Sequence, residues 1–275
     1  MAEEPEWDVD KERADQLAFL TGVKPGEQPG SYRGVVVDDW DNTLFGGSVV
    51  GQAITAITRD APEGRRLHSL HGYFLRPSVP SIPIDYEVTT IRDGRAYSSR
   101  RVHAAQQGKA TFEAMGSFTS DGDGWLYDLP HTSPIPARGP SDGFGMAGME
   151  AIFLGATEQR TDDTYESTER KWFRLPIEIG DDIHLHTAYF GMVSDWTGMG
   201  SRPLAMEWEW QPGEGPPVAS LDHAVWFHRP ARITDWHYMD MHSLVNFGGR
   251  GQIRMTIRNE AGEIVASMAQ ELLLR

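Results

Sequence analysis

Apolar and polar residues alternate with a period of two in a series of short stretches along this chain, and that rhythm predicts strands. Ile84, Tyr86 and Val88 stand against Asp85, Glu87 and Thr89, and Ile253, Met255 and Ile257 against Arg254, Thr256 and Arg258. Strand patterns cover 67–76, 84–91, 96–106 and 110–119, then 218–229, 238–246, 252–258 and 263–273. Two stretches break the alternation. Residues 48–58 carry Val49, Val50, Ala53, Ile54, Ala56 and Ile57, a short helix rich in small side chains. Residues 182–194 are apolar on nearly every side, which predicts a buried helix. Between the two groups, 120–145 is rich in Pro, Gly and Asp and reads as a linker or lid. A short helix over 145–154 and a first strand for the second group over 165–177 complete the reading.

The two groups are copies of one unit. The segment Leu70-His71-Gly72-Tyr73-Phe74-Leu75-Arg76-Pro77 resembles His223-Ala224-Val225-Trp226-Phe227-His228-Arg229-Pro230. Arg229 lies 153 positions after Arg76 (229 − 76), and Gly262-Glu263 repeats Gly108-Lys109 at 154 (262 − 108). Landmarks that keep one spacing point to duplication, where a shared Arg-Pro alone would not. Periodicity then gives an α+β chain in which one helix precedes about four strands, twice.

Composition narrows the chemistry. The chain has 275 residues, of which 39 % are hydrophobic and 24 % charged, enough for two ordinary cores. Its formal net charge of −15 repels a phosphate backbone and an anionic bilayer, so nucleic acid and membrane insertion are not expected. There is no cysteine, which excludes disulfides, thiolate metal sites and a Cys nucleophile. The acidic first ten residues lack a signal-peptide pattern and no apolar run is long enough to span a bilayer, so a cytoplasmic protein is expected.

Three places carry a specific resemblance. Phe45-Gly46-Gly47-Ser48-Val49-Val50-Gly51-Gln52-Ala53 looks like the start of the first helix in the acyl-CoA thioesterase II family. His68-Ser69-Leu70-His71-Gly72-Tyr73-Phe74-Leu75-Arg76-Pro77, followed by Arg92-Asp93-Gly94-Arg95, is similar to that family's signature strand and turn. Ser220-Leu221-Asp222-His223 with Trp226-Phe227-His228-Arg229-Pro230, then Gln270-Glu271, resembles its second half. The resemblance implies a tandem (double) hotdog, two helix-on-antiparallel-sheet units forming one continuous sheet. Residues 1–119 would form the first hotdog, 120–164 a linker or lid, and 165–275 the second hotdog with the catalytic residues. It also implies hydrolysis of acyl-CoA to fatty acid and CoA with no cofactor or metal, in a homo-oligomer.

The family's catalytic Asp, hydroxyl and Gln fall on Asp195, Ser220 and Gln270. The resemblance implies direct attack by water: Asp195 accepts its proton while Ser220 and Gln270 hold it, and the amide steadies the oxyanion. The residues alone support part of this. Gln270 lies on the apolar face of Ile264, Ala266, Met268 and Leu272, where its amide needs partners. Its repeat counterpart is Gly116, so one centre per chain is expected; a Gln satisfied by backbone is the bland alternative.

Asp195 would end its helix, where a carboxylate opposes the dipole by roughly 0.3–1 kcal/mol. Asp222, two residues from Ser220 on a strand, shares its face and is the better partner on spacing; only the resemblance favours Asp195. No Gly-x-Ser-x-Gly surrounds Ser220, which disfavours a serine esterase. His184 and His186 point to different sides of a helix and do not suit a metal. His68, His71, His223 and His228 border strands, and packed or surface roles suit them better than catalysis. Arg76, Arg100, Arg101, Lys109, Arg229 and Arg250 are candidates for the CoA phosphates. A non-catalytic acyl-CoA-binding protein is the alternative, and an enoyl-CoA hydratase a weaker one. Trp40-Asp41-Asn42-Thr43-Leu44-Phe45 lacks the hydratase's Asp and His.

Overall fold

The computed structural model describes residues 21–35, 43–122, 124–130, 134–140, 148–160, 165–196 and 218–274. The alternating segments become strands, and the described residues hold thirteen in all. In chain order these are β1 (Val23–Pro25), β2 (Ser31–Gly34), β3 (Arg66–Phe74), β4 (Asp85–Asp93), β5 (Tyr97–Gln106), β6 (Lys109–Thr119), β7 (Glu150–Arg160), β8 (Tyr165–Arg174), β9 (Val218–Ser220), β10 (Asp222–Phe227), β11 (His237–Phe247), β12 (Arg250–Asn259) and β13 (Ile264–Leu274). Helices α1 (Gly46–Arg59) and α2 (Ile183–Ser194) precede β3 and β9.

The strands form one antiparallel sheet in the order β1-β2-β4-β5-β6-β3-β10-β13-β12-β11-β8-β7, with β9 also on β13. Read from the two edges inward, both halves give the same order. With β9 and β10 taken as one interrupted strand, two strands, a helix and four strands occur twice, and the copies meet where Asp222 to Trp226 of β10 pair with Tyr73 to Ser69 of β3. The expected layout, two helix-on-sheet units sharing a continuous antiparallel sheet, is present. The outer pairs β1–β2 and β7–β8 add to it. β1, β2 and β7 escape the alternation because β1 and β2 are only three and four residues long and β7 begins among linker-like residues. Where a helix over 145–154 was expected, residues 150–160 form β7 and pair with β8.

Both helices lie against one sheet face, in one apolar cluster that spans the two copies and includes Ile54, Leu70, Phe112, Phe190, Met255 and Met268. The helices pack on each other antiparallel and close. A Cβ at Gly51 would sit 3.3 Å from both Ala188 O and Met192 Cβ, and one at Gly191 would collide with Ile54 Cδ1. Glycine at these crossings lets the backbones approach, and this sets the N-terminus of α1 beside the C-terminus of α2. α2 starts at Asp182, whose carboxylate accepts the His184 N–H at 2.9 Å.

The described linker stretches cross the opposite face of the sheet. Arg258 donates to Leu129 O at 2.8 Å, Trp172 Nε1 to Pro136 O at 3.0 Å, and Arg229 to Asp128 at 3.0 Å. Ile135 packs there on Ile152, Trp172 and Tyr238. These stretches brace the second copy from outside.

Candidate active site

The C-terminus of α2, the end of β9 and the end of β13 converge. Asp195 caps α2, Ser220 ends β9, and Gln270 lies near the end of β13. Gln270 Nε2 donates to Asp195 Oδ1 at 2.6 Å and to Ser220 Oγ at 2.6 Å. Ser220 Oγ lies 3.4 Å from the same Oδ1. Asp195 and Gln270 are buried and Ser220 is partly open.

Burial dominates the electrostatics of Asp195. It pushes the carboxyl up to about 7, while hydrogen bonds from Gln270, Ser220 and the Gly47 backbone pull the other way. The Gly47 contact explains why an acid can end a helix. Its own helix dipole opposes the charge, but the N-terminus of α1, from the other copy, faces it. The approach is tight: a Cβ at Gly46 would stand 2.6 Å from Asp195 Oδ2.

The aspartate favoured by spacing is elsewhere. Regular alternation would place Ser220 and Asp222 on one face, but the strand is interrupted at Leu221. Ser220 pairs with Leu272, whereas Ala224 pairs with Ala269, so one extra residue lies between the two registers. This bulge shifts the inward set to His223, Val225 and Phe227 and takes Asp222 off that face. Asp222 Oδ1 instead accepts the Glu271 N–H at 2.7 Å, a ladder donor that the bulge leaves over. Asp222 is a clip for the bulge.

The repeat position of Gln270 is also resolved. A Cβ at Gly116 would stand 2.8 Å from Ile57 Cδ1 and 2.8 Å from Leu67 Cδ1, so apolar side chains fill that place in the first copy.

The other expectations fare unevenly. His186 Nε2 meets Gly180 O at 2.9 Å and its Nδ1 accepts Ile233 N–H at 3.2 Å, so the ring is fully engaged in packing. Of the basic candidates, Arg76 bonds Ala110 O, Arg100 pairs with Asp93, Arg101 with Glu113, and Arg229 with Asp128. Arg250 is half-exposed, 3.6 Å from Glu271. The stretch compared with the hydratase lies partly outside the described residues.

Two residues gain their importance only from the fold. His223 is fully buried, with Nε2 2.9 Å from Ser194 Oγ and Nδ1 3.8 Å from Asp195 Oδ1. Its signal in the sequence is Leu70 at the matching repeat position. Lys171 is buried beneath Trp196; its Nζ bonds Glu169 at 2.7 Å and Trp196 O at 3.3 Å, and burial lowers its pKa. A Lys at an inward strand position is the available sign.

Profiles of known families match most of the chain. That of the acyl-CoA thioesterase N-terminal domain covers residues 36–119, and that of the C-terminal domain residues 130–274. Acyl-CoA thioesterase 2 of Haemophilus influenzae is 30% identical over 89% of this chain and 92% of its own length. Acyl-coenzyme A thioesterase 8 of Mus musculus is 29% identical over 84% and 80%. Among solved structures, the acyl-CoA thioesterase II TesB2 of Mycobacterium marinum superposes with a TM-score of 0.77 at 30% identity, covering 94% of this chain and 96% of that one. A conserved protein with the hot dog fold from Alicyclobacillus acidocaldarius, 15% identical, superposes with a TM-score of 0.76 over 94% and 97%.

Proposed function

The chain belongs to the acyl-CoA thioesterase family, and from that premise we propose that it hydrolyses acyl-CoA to a fatty acid and CoA by direct attack of a water held by Asp195, Ser220 and Gln270. The observation that carries this reading is a single amide nitrogen bonded to both a buried carboxylate and a hydroxyl. A carboxyl near 7 is matched to general-base work at neutral pH, since it is ionised in part and still basic. The Ser220–Asp195 separation of 3.4 Å is long for a hydroxyl-to-carboxylate bond, so a water can compete for both groups.

In this reading the water lies between Asp195 and Ser220 and attacks the thioester carbonyl as Asp195 takes its proton. The two Gln270 N–H groups hold Asp195 and Ser220 in place around that water. The CoA thiolate then leaves, protonated from solvent or from Asp195. The half-open Ser220 marks the side from which a substrate arrives. The acyl chain would run along the apolar layer between helices and sheet. The pairing of β7 with β8 supports a second unit that starts at β7, so in this reading the linker spans 120–149 in place of 120–164.

Release of free thiol from a panel of acyl-CoAs of increasing chain length tests the activity. A protein that only holds acyl-CoA would bind the panel and release no thiol. For the site, Asp195→Asn and Gln270→Ala should each lower kcat by roughly 100-fold or more with KM little changed. Wild-type kcat in both variants would sink the assignment.

A further inference from the structure

We propose that His223 is a positioning residue for this centre: its Nδ1–H donates to Gln270 Oε1 and so holds the amide with its NH2 toward Asp195 and Ser220. The inference rests on those three residues doing the chemistry and adds what orients the amide.

An amide has two donors on one side and a carbonyl on the other. Both donors of Gln270 are used, by Asp195 and Ser220, which leaves Oε1 on the far side. Oε1 is buried there without a full hydrogen bond, and so is His223 Nδ1. The two belong to facing positions. Ala224 pairs with Ala269, and one step further sets His223 opposite Gln270. Burial drives the imidazole down to about 4, and the Gln270 side chain is the neighbour that opposes that fall, as an acceptor for an N–H does. Two buried orphans destabilise the fold, and a small closure satisfies both.

The other ring nitrogen accommodates that tautomer. Ser194 Oγ is 2.9 Å from His223 Nε2 and 2.8 Å from Gly191 O. The hydroxyl has one proton: donated to Gly191 O, it leaves Nε2 as the ring's donor, whereas given to Nε2 it leaves the neutral ring protonated on Nδ1, the proposed form. The opposite choice would turn a bare Nδ1 lone pair toward a carbonyl oxygen.

Asp195 cannot orient the amide by itself. As a carboxylate it rejects Oε1, but as a carboxylic acid it can donate to Oε1, and near neutrality both forms are populated. A donor behind the amide holds one orientation in both. The duplication provides an independent sign. Leu70 and Gly116 pair directly in the first copy at the places of His223 and Gln270, so the imidazole and the amide are present together in one copy and absent together in the other.

Two measurements decide. In 15N-labelled wild-type protein, long-range 1H–15N correlation at neutral pH should find the His223 proton on Nδ1; a proton on Nε2 overturns the proposal. His223→Leu, which copies the first unit, should lower kcat about 10-fold or more at nearly constant KM and Tm. His223→Asn, whose amide N–H reaches the Nδ1 position, should recover most of that loss. Wild-type kcat in His223→Leu, or no recovery in His223→Asn, refutes the role. If His223→Leu fails to fold, the tautomer of the labelled wild type still decides. Asp195→Asn and Gln270→Ala are assayed alongside. Full activity in those two sinks the proposed function; inactivity there with an unaffected His223→Leu sinks only the role of His223.

Discussion

Asp195 is held between two opposed demands, and its titration reports which one dominates. Desolvation favours the neutral acid, whereas Gln270, Ser220 and the Gly47 N–H favour the anion; the outcome is about 7. A base must be ionised to act, so kcat/KM should climb with pH, pass its midpoint near 7 and level off above it. A profile flat from pH 5 to 9 would exclude Asp195 as the base. The same shift has a consequence for stability. The folded carboxyl lies above its unfolded value of roughly 4, so its contribution is full below that pH and is lost as pH rises through about 7. Between those limits wild type should lose up to about 1.4 kcal/mol per pH unit relative to Asp195→Asn. Urea unfolding at pH 5 and pH 8 checks this: the Asn variant should gain on wild type at the higher pH.

At the scale of elements, a bulge and a buried ion pair shape the surroundings of the site. The bulge between Ser220 and Ala224 aims Ser220 inward, and Asp222 retains it by accepting the Glu271 N–H. Asp222→Asn keeps a carbonyl oxygen for that bond and should leave kcat nearly unchanged. Asp222→Ala strands the donor, and should cost about 1–3 kcal/mol and lower kcat as Ser220 shifts. Equal kcat in the two variants would show that the clip does not matter. Below the end of α2, Lys171 donates to Trp196 O and pairs with Glu169. Lys171→Met leaves a carboxylate buried without its partner and should cost about 3–5 kcal/mol. Adding Glu169→Leu should restore most of that loss in thermal unfolding, because a pair removed whole leaves no lone charge.

The whole molecule makes one centre from two copies. The helices cross through glycines, so the first copy supplies the α1 N-terminus and the second supplies Asp195, Ser220 and Gln270. Gly46→Ala places a methyl group against Asp195 Oδ2 and Phe74, and should depress kcat far more than it lowers Tm. A variant with wild-type kcat would mean that the carboxylate tolerates displacement. Gly116→Gln should destabilise the first unit and create no second centre, since Ile57 and Leu67 occupy that space. Circular dichroism melts and the thiol assay read the two effects separately.

Local periodicity was sufficient for the class of the fold, for α2 as a buried helix and for the duplication, because side-chain alternation and fixed offsets are properties of the chain itself. It also marked Gln270 as out of place on an apolar face, since an amide there needs partners whatever the fold. The short strands β1 and β2 have too few residues to show a period. Which aspartate reaches Ser220 was decided only in three dimensions. One inserted residue at Leu221 exchanges the two faces of a strand, and spacing along the chain carries no record of such a shift. The contact between Gly47 and Asp195 has the same origin: residues 148 positions apart (195 − 47) meet because two helices pack closely, and that approach exists only once the copies share a sheet.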